Sequence, residues 1–185
     1  TSPEFSMKRL LAAGYQSIYQ IGKAFRYESS GRFHNPEFTM LEWYRVGFDH
    51  FQLMTELDEL LQCVLGCQSA DKLSYQKVFI DFLAIDPLAC NVASLKDKLS
   101  EFQIFGDWIK NETDKDILLQ VLFSECIEPE LAKERPCFIY HYPASQSALA
   151  RLSNADSRVA ERFECYFKGI ELANGFNELT DPNEQ

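Results

Sequence analysis

The stretch GRFHNPEFTMLEWYR, residues 31–45, joins a charged loop to an alternating apolar segment. Pro36 ends the loop, and the aromatic and branched residues that follow are typical of a β-strand. Because side chains alternate across a strand, one face of it carries Phe38, Met40, Glu42 and Tyr44. The segment KAFRYE, residues 23–28, is predicted to pair with this strand through the loop. His34 and Asn35 would then lie at the edge of the paired strands.

This pairing would place Arg26 and Glu28 on the surface that carries Phe38. Arg26 offers a planar fork for a phosphate, Phe38 a plate for a flat base, and Glu28 an acceptor for an exocyclic amino group. Glu42 lies inside an otherwise apolar strand, where an unpaired carboxylate is costly, so it predicts a cationic partner. The sequence therefore indicates a nucleotide bound beside an amine. The alternative is a hairpin whose charges only solvate its face.

A second acidic segment, RFECYFKGIELANGF, covers residues 162–176 and reads as two strands joined at Lys168-Gly169. In that register Tyr166 faces Glu171, and Glu164 lies diagonally from Glu171 on the same face. Two neighbouring carboxylates repel unless a cation lies between them, and Mg²⁺ takes such ligands. A solvated edge strand is an alternative.

The dipeptide Asn174-Gly175 offers another register, because it is the strongest short hairpin signal in this region. A turn at that dipeptide would place Glu171 opposite Glu178. That arrangement is again a pair of like charges that needs a cation.

The rest of the chain predicts an α+β fold on a largely antiparallel sheet. Ser2-Pro3-Glu4 is typical of a helix start, and residues 50–65 form an amphipathic pattern that ends at Gly66. A mixed helical stretch follows, broken at Asp86-Pro87. The segment CFIYHYP, residues 137–143, reads as a short strand that Pro143 ends.

The composition indicates a folded chain of one domain, with 185 residues, 46% apolar and 14% aromatic. Its net charge of −10 argues against a generic basic groove for nucleic acid. No run of residues approaches the length of a membrane helix. The six cysteines form no C-x-x-C motif and the three histidines no metal spacing with them, as is usual for reduced thiols in a cytoplasmic protein.

FRYE followed by GRFHNPEFTMLEWYR resembles motif 2 of the class II aminoacyl-tRNA synthetases, in their lysine branch. TSPEFSMKRLLAAG resembles the helix that precedes this motif, and RFECYFKGIELANGFNELTD the segment that carries metal and lysine contacts. The resemblance implies one partial catalytic domain, an antiparallel sheet flanked by helices, over residues 1–185. Motif 2 would occupy residues 24–45, a helical insertion about 50–132, and the metal- and amino-acid-binding strands about 158–180.

The resemblance also implies a longer parent protein, which we expect to be a homodimer, with motifs 1 and 3 outside this chain. Within the lysine branch, Phe33 stands where lysyl-tRNA synthetases normally carry an Arg. The run YHYPASQSALA is closer to the paralogue that attaches (R)-β-lysine to a lysine side chain of elongation factor P. This paralogue is the favoured reading. A lysyl-tRNA synthetase that charges tRNA with lysine and a catalytically silent binding module are the alternatives.

Carried over residue by residue, the resemblance implies a site for ATP, Mg²⁺ and lysine or (R)-β-lysine. Arg26 would be catalytic, binding the α-phosphate. The ATP contacts would come from Arg26, Tyr27, Glu28, His34, Asn35, Phe38, Glu171 and Leu172. The metal would be held by Glu164 and Glu171. The amino acid substrate would be surrounded by Ser2, Pro3, Glu4, Glu42, Tyr44, Asn174 and Glu178.

Overall fold

A computed structural model describes residues 2–27, 31, 35–181 and 183. The chain divides into two compact units, Thr1–Phe48 and Asp49–Gln185. Within the described residues, no helix combines the length and the apolar character that crossing a membrane requires.

The first unit contains helix α1 (Glu4–Ala12) and strands β1 (Ile18–Phe25) and β2 (Glu37–Tyr44). The two strands pair antiparallel as predicted, from Ile18 opposite Tyr44 to Phe25 opposite Glu37. β1 begins at Ile18, five residues before the segment that the sequence predicted to pair with β2. α1 begins after Pro3, and the Ser2 hydroxyl accepts the Glu4 N–H at 3.0 Å.

The second unit opens with helix α2 (His50–Leu65), whose predicted bounds are confirmed. The Asp49 carboxylate accepts the Gln52 N–H at 2.8 Å, while the Gln52 side chain accepts the Asp49 N–H at 2.9 Å. This reciprocal pair satisfies donors that the first turn leaves without helical partners. At the other end Gly66 is left-handed, with φ of 63°, and stops the helix.

The second unit also contains a four-stranded sheet, in the order β3 (Asp71–Ser74), β4 (Cys137–Tyr140), β5 (Arg162–Phe167) and β6 (Ile170–Phe176). β3 pairs parallel with β4, and the other pairs are antiparallel. The predicted α+β class is confirmed. β3 was not predicted, because the four residues DKLS carry no apolar alternation and are a strand only through pairing with distant β4.

Between β3 and β4 the chain forms helices α3 (Tyr75–Leu83), α4 (Val92–Glu101), α5 (Asp107–Asn111) and α6 (Lys115–Leu122). A π-helical turn at Phe123–Ile127 and a 3₁₀ turn at Glu128–Glu130 follow α6. Their apolar faces form one core with the sheet, which includes Tyr75, Phe79, Leu95, Leu99, Leu118, Leu119, Leu122 and Ile139.

The turn between β5 and β6 lies at Lys168-Gly169, with φ of 52° and 73°, so the predicted hairpin is confirmed. Asn174-Gly175, the alternative turn, lies inside β6. A Cβ on Gly175 would lie 2.6 Å from Cζ of Phe163, so this position needs glycine for close packing. Gly175, which the sequence offered as a turn residue, is therefore a glycine because of close packing inside a strand.

Strand β4 ends three residues before Pro143, the predicted end. It stops at Tyr140, and His141 has a positive φ of 59°. This turn directs the His141 ring to His50, and the two Nε2 atoms lie 3.1 Å apart.

The His50–His141 pair predicts a loss of stability on acidification. Burial lowers the pKa of His50, and the charge of His141 lowers it further; nearby Glu161 and Asp49 oppose the shift. Burial likewise lowers the pKa of His141, against opposing effects of Glu161 and Asp156. Below about pH 6.5 the unfolded chain then binds more protons than the folded chain, so stability falls with pH.

We expect the free energy of unfolding, measured in urea, to decrease from pH 7.5 to pH 5.5. In the His50→Leu variant this decrease should be smaller. An equal decrease in both proteins would contradict a role for the pair.

Candidate functional site

Arg26 and Phe38, two residues of the predicted nucleotide surface, lie on the β1–β2 hairpin. Arg26 donates its backbone N–H to the Pro36 carbonyl at 2.9 Å, which extends the strand ladder by one pair. The Arg26 guanidinium lies 5.2 Å from the centre of the Phe38 ring, so both residues share a face as predicted. Arg26, Tyr27 and Asn35 are exposed. Glu28 and His34 lie outside the described residues.

At the other end of the hairpin, Ser2 brings α1 and β2 together. Its hydroxyl donates to Oε1 of Glu42 and accepts the Glu4 N–H. The Glu4 carboxylate forms an ion pair with Lys8 at 2.7 Å. Ser2 therefore joins the backbone of Glu4 to the carboxylate of Glu42. The sequence predicted a cationic partner for Glu42, and the contact found is the neutral Ser2 hydroxyl.

Two further predicted substrate residues lie in the first unit. Pro3 directly precedes α1. Tyr44 ends β2 opposite Ile18 and is half-buried. Glu42 and Tyr44 fall on the face that carries Phe38, because the three positions are separated by even numbers of residues along one strand.

Strands β5 and β6 of the second unit carry the predicted metal carboxylates. Tyr166 pairs with Glu171 and Glu164 with Asn174, with a register shift between Cys165 and Tyr166. The side chain of Glu171 is exposed, yet the atoms packed around its carboxyl raise its pKa, and the charge of Glu164 raises it further. The Asn174 amide donates to Oε1 of Glu171 at 3.4 Å. These two carboxylates therefore lie close enough to repel each other.

Three side chains that the sequence did not assign to the site hold Glu164. Arg162 donates to Oε1, while the hydroxyls of Tyr142 and Tyr166 donate to Oε2, the former at 2.7 Å. Burial, followed by the charge of Glu164, raises the pKa of both tyrosines, so both stay protonated donors at neutral pH. Arg162 and Tyr166 lie two residues either side of Glu164, and strand alternation could have found them. Tyr142 follows β4, and no local pattern connects it to Glu164.

The remaining predicted residues of this unit lie along or just after β6. Leu172 follows Glu171 and is 38% exposed. Glu178 bridges to Ala150, and its carbonyl accepts the Arg151 Nε–H at 3.4 Å. A further acid, Glu128, lies near the site: burial raises its pKa, and so does the charge of Glu164.

The two carboxylates Glu164 and Glu171 suit a magnesium ion whose other ligands are water molecules and phosphate oxygens. In the part of the chain that the structure describes, no group of three or more His, Cys, Asp or Glu residues could hold a metal. A closed structural zinc site is therefore not formed by these residues. Mg²⁺ commonly binds one or two carboxylates and completes its shell with water and substrate phosphates.

The family model described as tRNA synthetases class II (D, K and N) matches residues 1–185, so this chain belongs to that family. Curated relatives named Elongation factor P--(R)-beta-lysine ligase are similar along the whole chain. Those of Edwardsiella ictaluri (strain 93-146) and Yersinia pestis (strain Pestoides F) are 56% identical over 185 residues. That of Vibrio parahaemolyticus serotype O3:K6 (strain RIMD 2210633) is 58% identical. The chain spans 57% of the length of each of these three relatives.

Proposed function

We propose that the complete protein activates lysine or (R)-β-lysine with ATP and attaches it to a lysine side chain of elongation factor P. The observation that carries this proposal is the 56–58% identity, over the whole chain, to relatives named for that ligation. The geometry supports it, because Arg26, the proposed phosphate contact, and Glu42, the proposed amine contact, lie on one face of the β1–β2 hairpin.

The proposed reaction has two steps. A carboxylate oxygen of the amino acid attacks the α-phosphorus of ATP, which forms the aminoacyl-adenylate and releases pyrophosphate. The amine of the acceptor lysine then attacks the activated carbonyl, an amide bond forms, AMP leaves and the amine proton passes to solvent. Positioning and charge stabilisation supply this catalysis without a protein nucleophile.

Arg26 is the proposed catalytic residue. An exposed guanidinium on a paired strand can form a charge-assisted bond to the α-phosphate as negative charge develops. Its position beside Phe38 supports stacking of the adenine on that ring. Tyr27, Glu28, His34, Asn35 and Leu172 are proposed to complete the ATP contacts.

The amino acid substrate carries two ammonium groups, which carboxylates can balance. Glu42, which accepts the Ser2 hydroxyl, and Glu4, whose carboxylate pairs with Lys8, are proposed to receive one part of this substrate. Pro3, Tyr44, Asn174 and Glu178 are proposed to complete its surroundings. Since the contact found at Glu42 is a hydroxyl, a substrate ammonium would supply the predicted cation.

Glu164 and Glu171 are proposed to hold Mg²⁺, which would neutralise charge on the phosphates of ATP. The raised pKa of Glu171 supports this role, because a cation relieves the repulsion from Glu164. We further propose that the parent protein is a homodimer that acts in the cytoplasm. The six cysteines are free thiols, as is usual in a reducing compartment.

The acceptor can be tested by incubating the complete protein with ATP and radiolabelled (R)-β-lysine. Separate reactions would contain elongation factor P, the factor with its acceptor lysine replaced by alanine, and total tRNA. We expect label on unaltered elongation factor P alone. Label on tRNA would instead favour the lysyl-tRNA synthetase alternative.

A further inference from the structure

Arg162 is fixed in place by contacts that do not depend on a metal. One guanidinium nitrogen donates to the Gln146 carbonyl at 2.9 Å, and the group lies 4.6 Å from the centre of the Tyr142 ring. The other nitrogen contacts Glu164. The Arg162 side chain is 21% exposed and that of Glu164 13% exposed, so water screens this pair less than a surface pair. Arg162 therefore lies beside Glu164 as a permanent positive charge.

The contacts of Glu164 use most of its capacity to accept hydrogen bonds. A carboxylate offers about four lone-pair sites on its two oxygens. Tyr142 and Tyr166 both donate to Oε2, and Arg162 donates to Oε1. One site remains, on Oε1, so Glu164 can offer a cation a single oxygen in a fixed direction.

The charges of this group explain how a cation would be held. Glu164 and Glu171 carry negative charge beside Glu128, and Arg162 cancels one of these charges. With Arg162 present, the site therefore attracts a free divalent ion less strongly than the same carboxylates would without it. A cation that arrives with nucleotide phosphates would gain the ligands and the charge that the protein does not supply.

We propose that Arg162 is a positioning and charge-balancing residue of the carboxylate pair, which directs Glu164 and keeps the affinity for free divalent cations low. This inference rests on the proposed ATP- and Mg²⁺-dependent function. Removal of Arg162 would have two separate effects. Loss of its positive charge tightens the binding of a free cation. Loss of its hydrogen bond releases Glu164 and slows the reaction.

The experiment compares the complete wild-type protein with Arg162→Met, which keeps an apolar stem over Tyr142 but has no charge. Binding of Mn²⁺ without nucleotide is measured by electron paramagnetic resonance. Mg²⁺-dependent pyrophosphate exchange is measured separately. We expect Arg162→Met to bind Mn²⁺ about tenfold more tightly, since one opposing charge is gone. We expect its maximal exchange rate to fall about 10–100-fold, as for other residues that orient a metal ligand.

Two further variants separate this role from a loss of folding. Arg162→Lys keeps the charge and should bind Mn²⁺ like the wild type, with part of the exchange activity restored. Arg158→Met is the matched control, because Arg158 also pairs with a carboxylate two residues away, Asp156 at 2.7 Å, on an exposed segment. It should change neither measurement.

If Arg162→Met has the circular dichroism spectrum of the wild type but binds Mn²⁺ more weakly or equally well, the inference is overturned. So would Mn²⁺ binding in Arg162→Lys that matches Arg162→Met. If the wild type showed no pyrophosphate exchange with any amino acid, the proposed function would fail. The Mn²⁺ measurement would still decide the role of Arg162.

Discussion

Replacing Arg26 by alanine should lower pyrophosphate exchange by the complete protein by about 10²–10³-fold, the loss typical of removing one group that stabilises transition-state charge. Arg26 is exposed and lies over Phe38 at 5.2 Å, so its removal leaves no buried group unpaired. The melting temperature should therefore change little. Arg26→Lys should recover only part of the rate, because an ammonium lacks the planar fork of guanidinium.

The matched control for Arg26 is Lys23→Ala on the same strand. Lys23 lies on the opposite face and pairs with Glu37 at 3.0 Å, with more than half of each side chain exposed. Such a surface pair contributes at most about 1 kcal/mol, and this variant should keep the wild-type exchange rate. Equal losses in both variants would contradict the assignment of Arg26 to the phosphate.

Replacing Glu171 by glutamine should lower Mg²⁺-dependent exchange by about 100-fold or more, because a direct ligand should matter at least as much as the residues that orient ligands. Its raised pKa gives a second expectation. An acid whose folded pKa is raised costs stability when ionised, and that cost disappears as pH falls through the folded pKa. Without divalent ions at pH 7, Glu171→Gln should therefore melt no lower than the wild type.

The control for Glu171 is Glu130→Gln. Glu130 is an exposed acid that pairs with Lys133 at 2.6 Å. Its replacement should leave exchange unchanged. A Glu171→Gln protein that keeps full Mg²⁺-dependent exchange would show that this carboxylate does not hold the metal.

Strand alternation and turn chemistry predicted the β1–β2 and β5–β6 hairpins. Arg26 and Phe38 share a face because the period of a strand is two residues, and the register follows from the paired strands. Lys168-Gly169 forms the turn, since both residues adopt the left-handed backbone that such turns need. Asn174-Gly175 carries a similar signal, but only the three-dimensional contact with Phe163 shows why Gly175 is a glycine.

The support around Glu164 could be predicted only in part. Arg162 and Tyr166 share its face by alternation along β5, whereas Tyr142 reaches it from the segment that follows β4. The contact of His50 with His141 also joins residues far apart in sequence. Long-range contacts of this kind depend on tertiary packing, which periodicity in one segment does not encode.

The partner of Glu42 shows a second limit of sequence reasoning. The apolar pattern of β2 predicted that this carboxylate needs a partner, and the structure places the Ser2 hydroxyl against it. Pattern alone predicts the need for a partner, but the identity of that partner depends on where the start of α1 lies.

The most direct test of the proposed activity is pyrophosphate exchange by the complete protein with ATP and labelled pyrophosphate. (R)-β-lysine and L-lysine would be compared in the wild type and in Glu178→Ala. We expect strong exchange with (R)-β-lysine, weaker exchange with L-lysine, and loss of both in the variant. No exchange with either amino acid in the wild-type protein would contradict the proposed activity and leave the silent binding module as the better description.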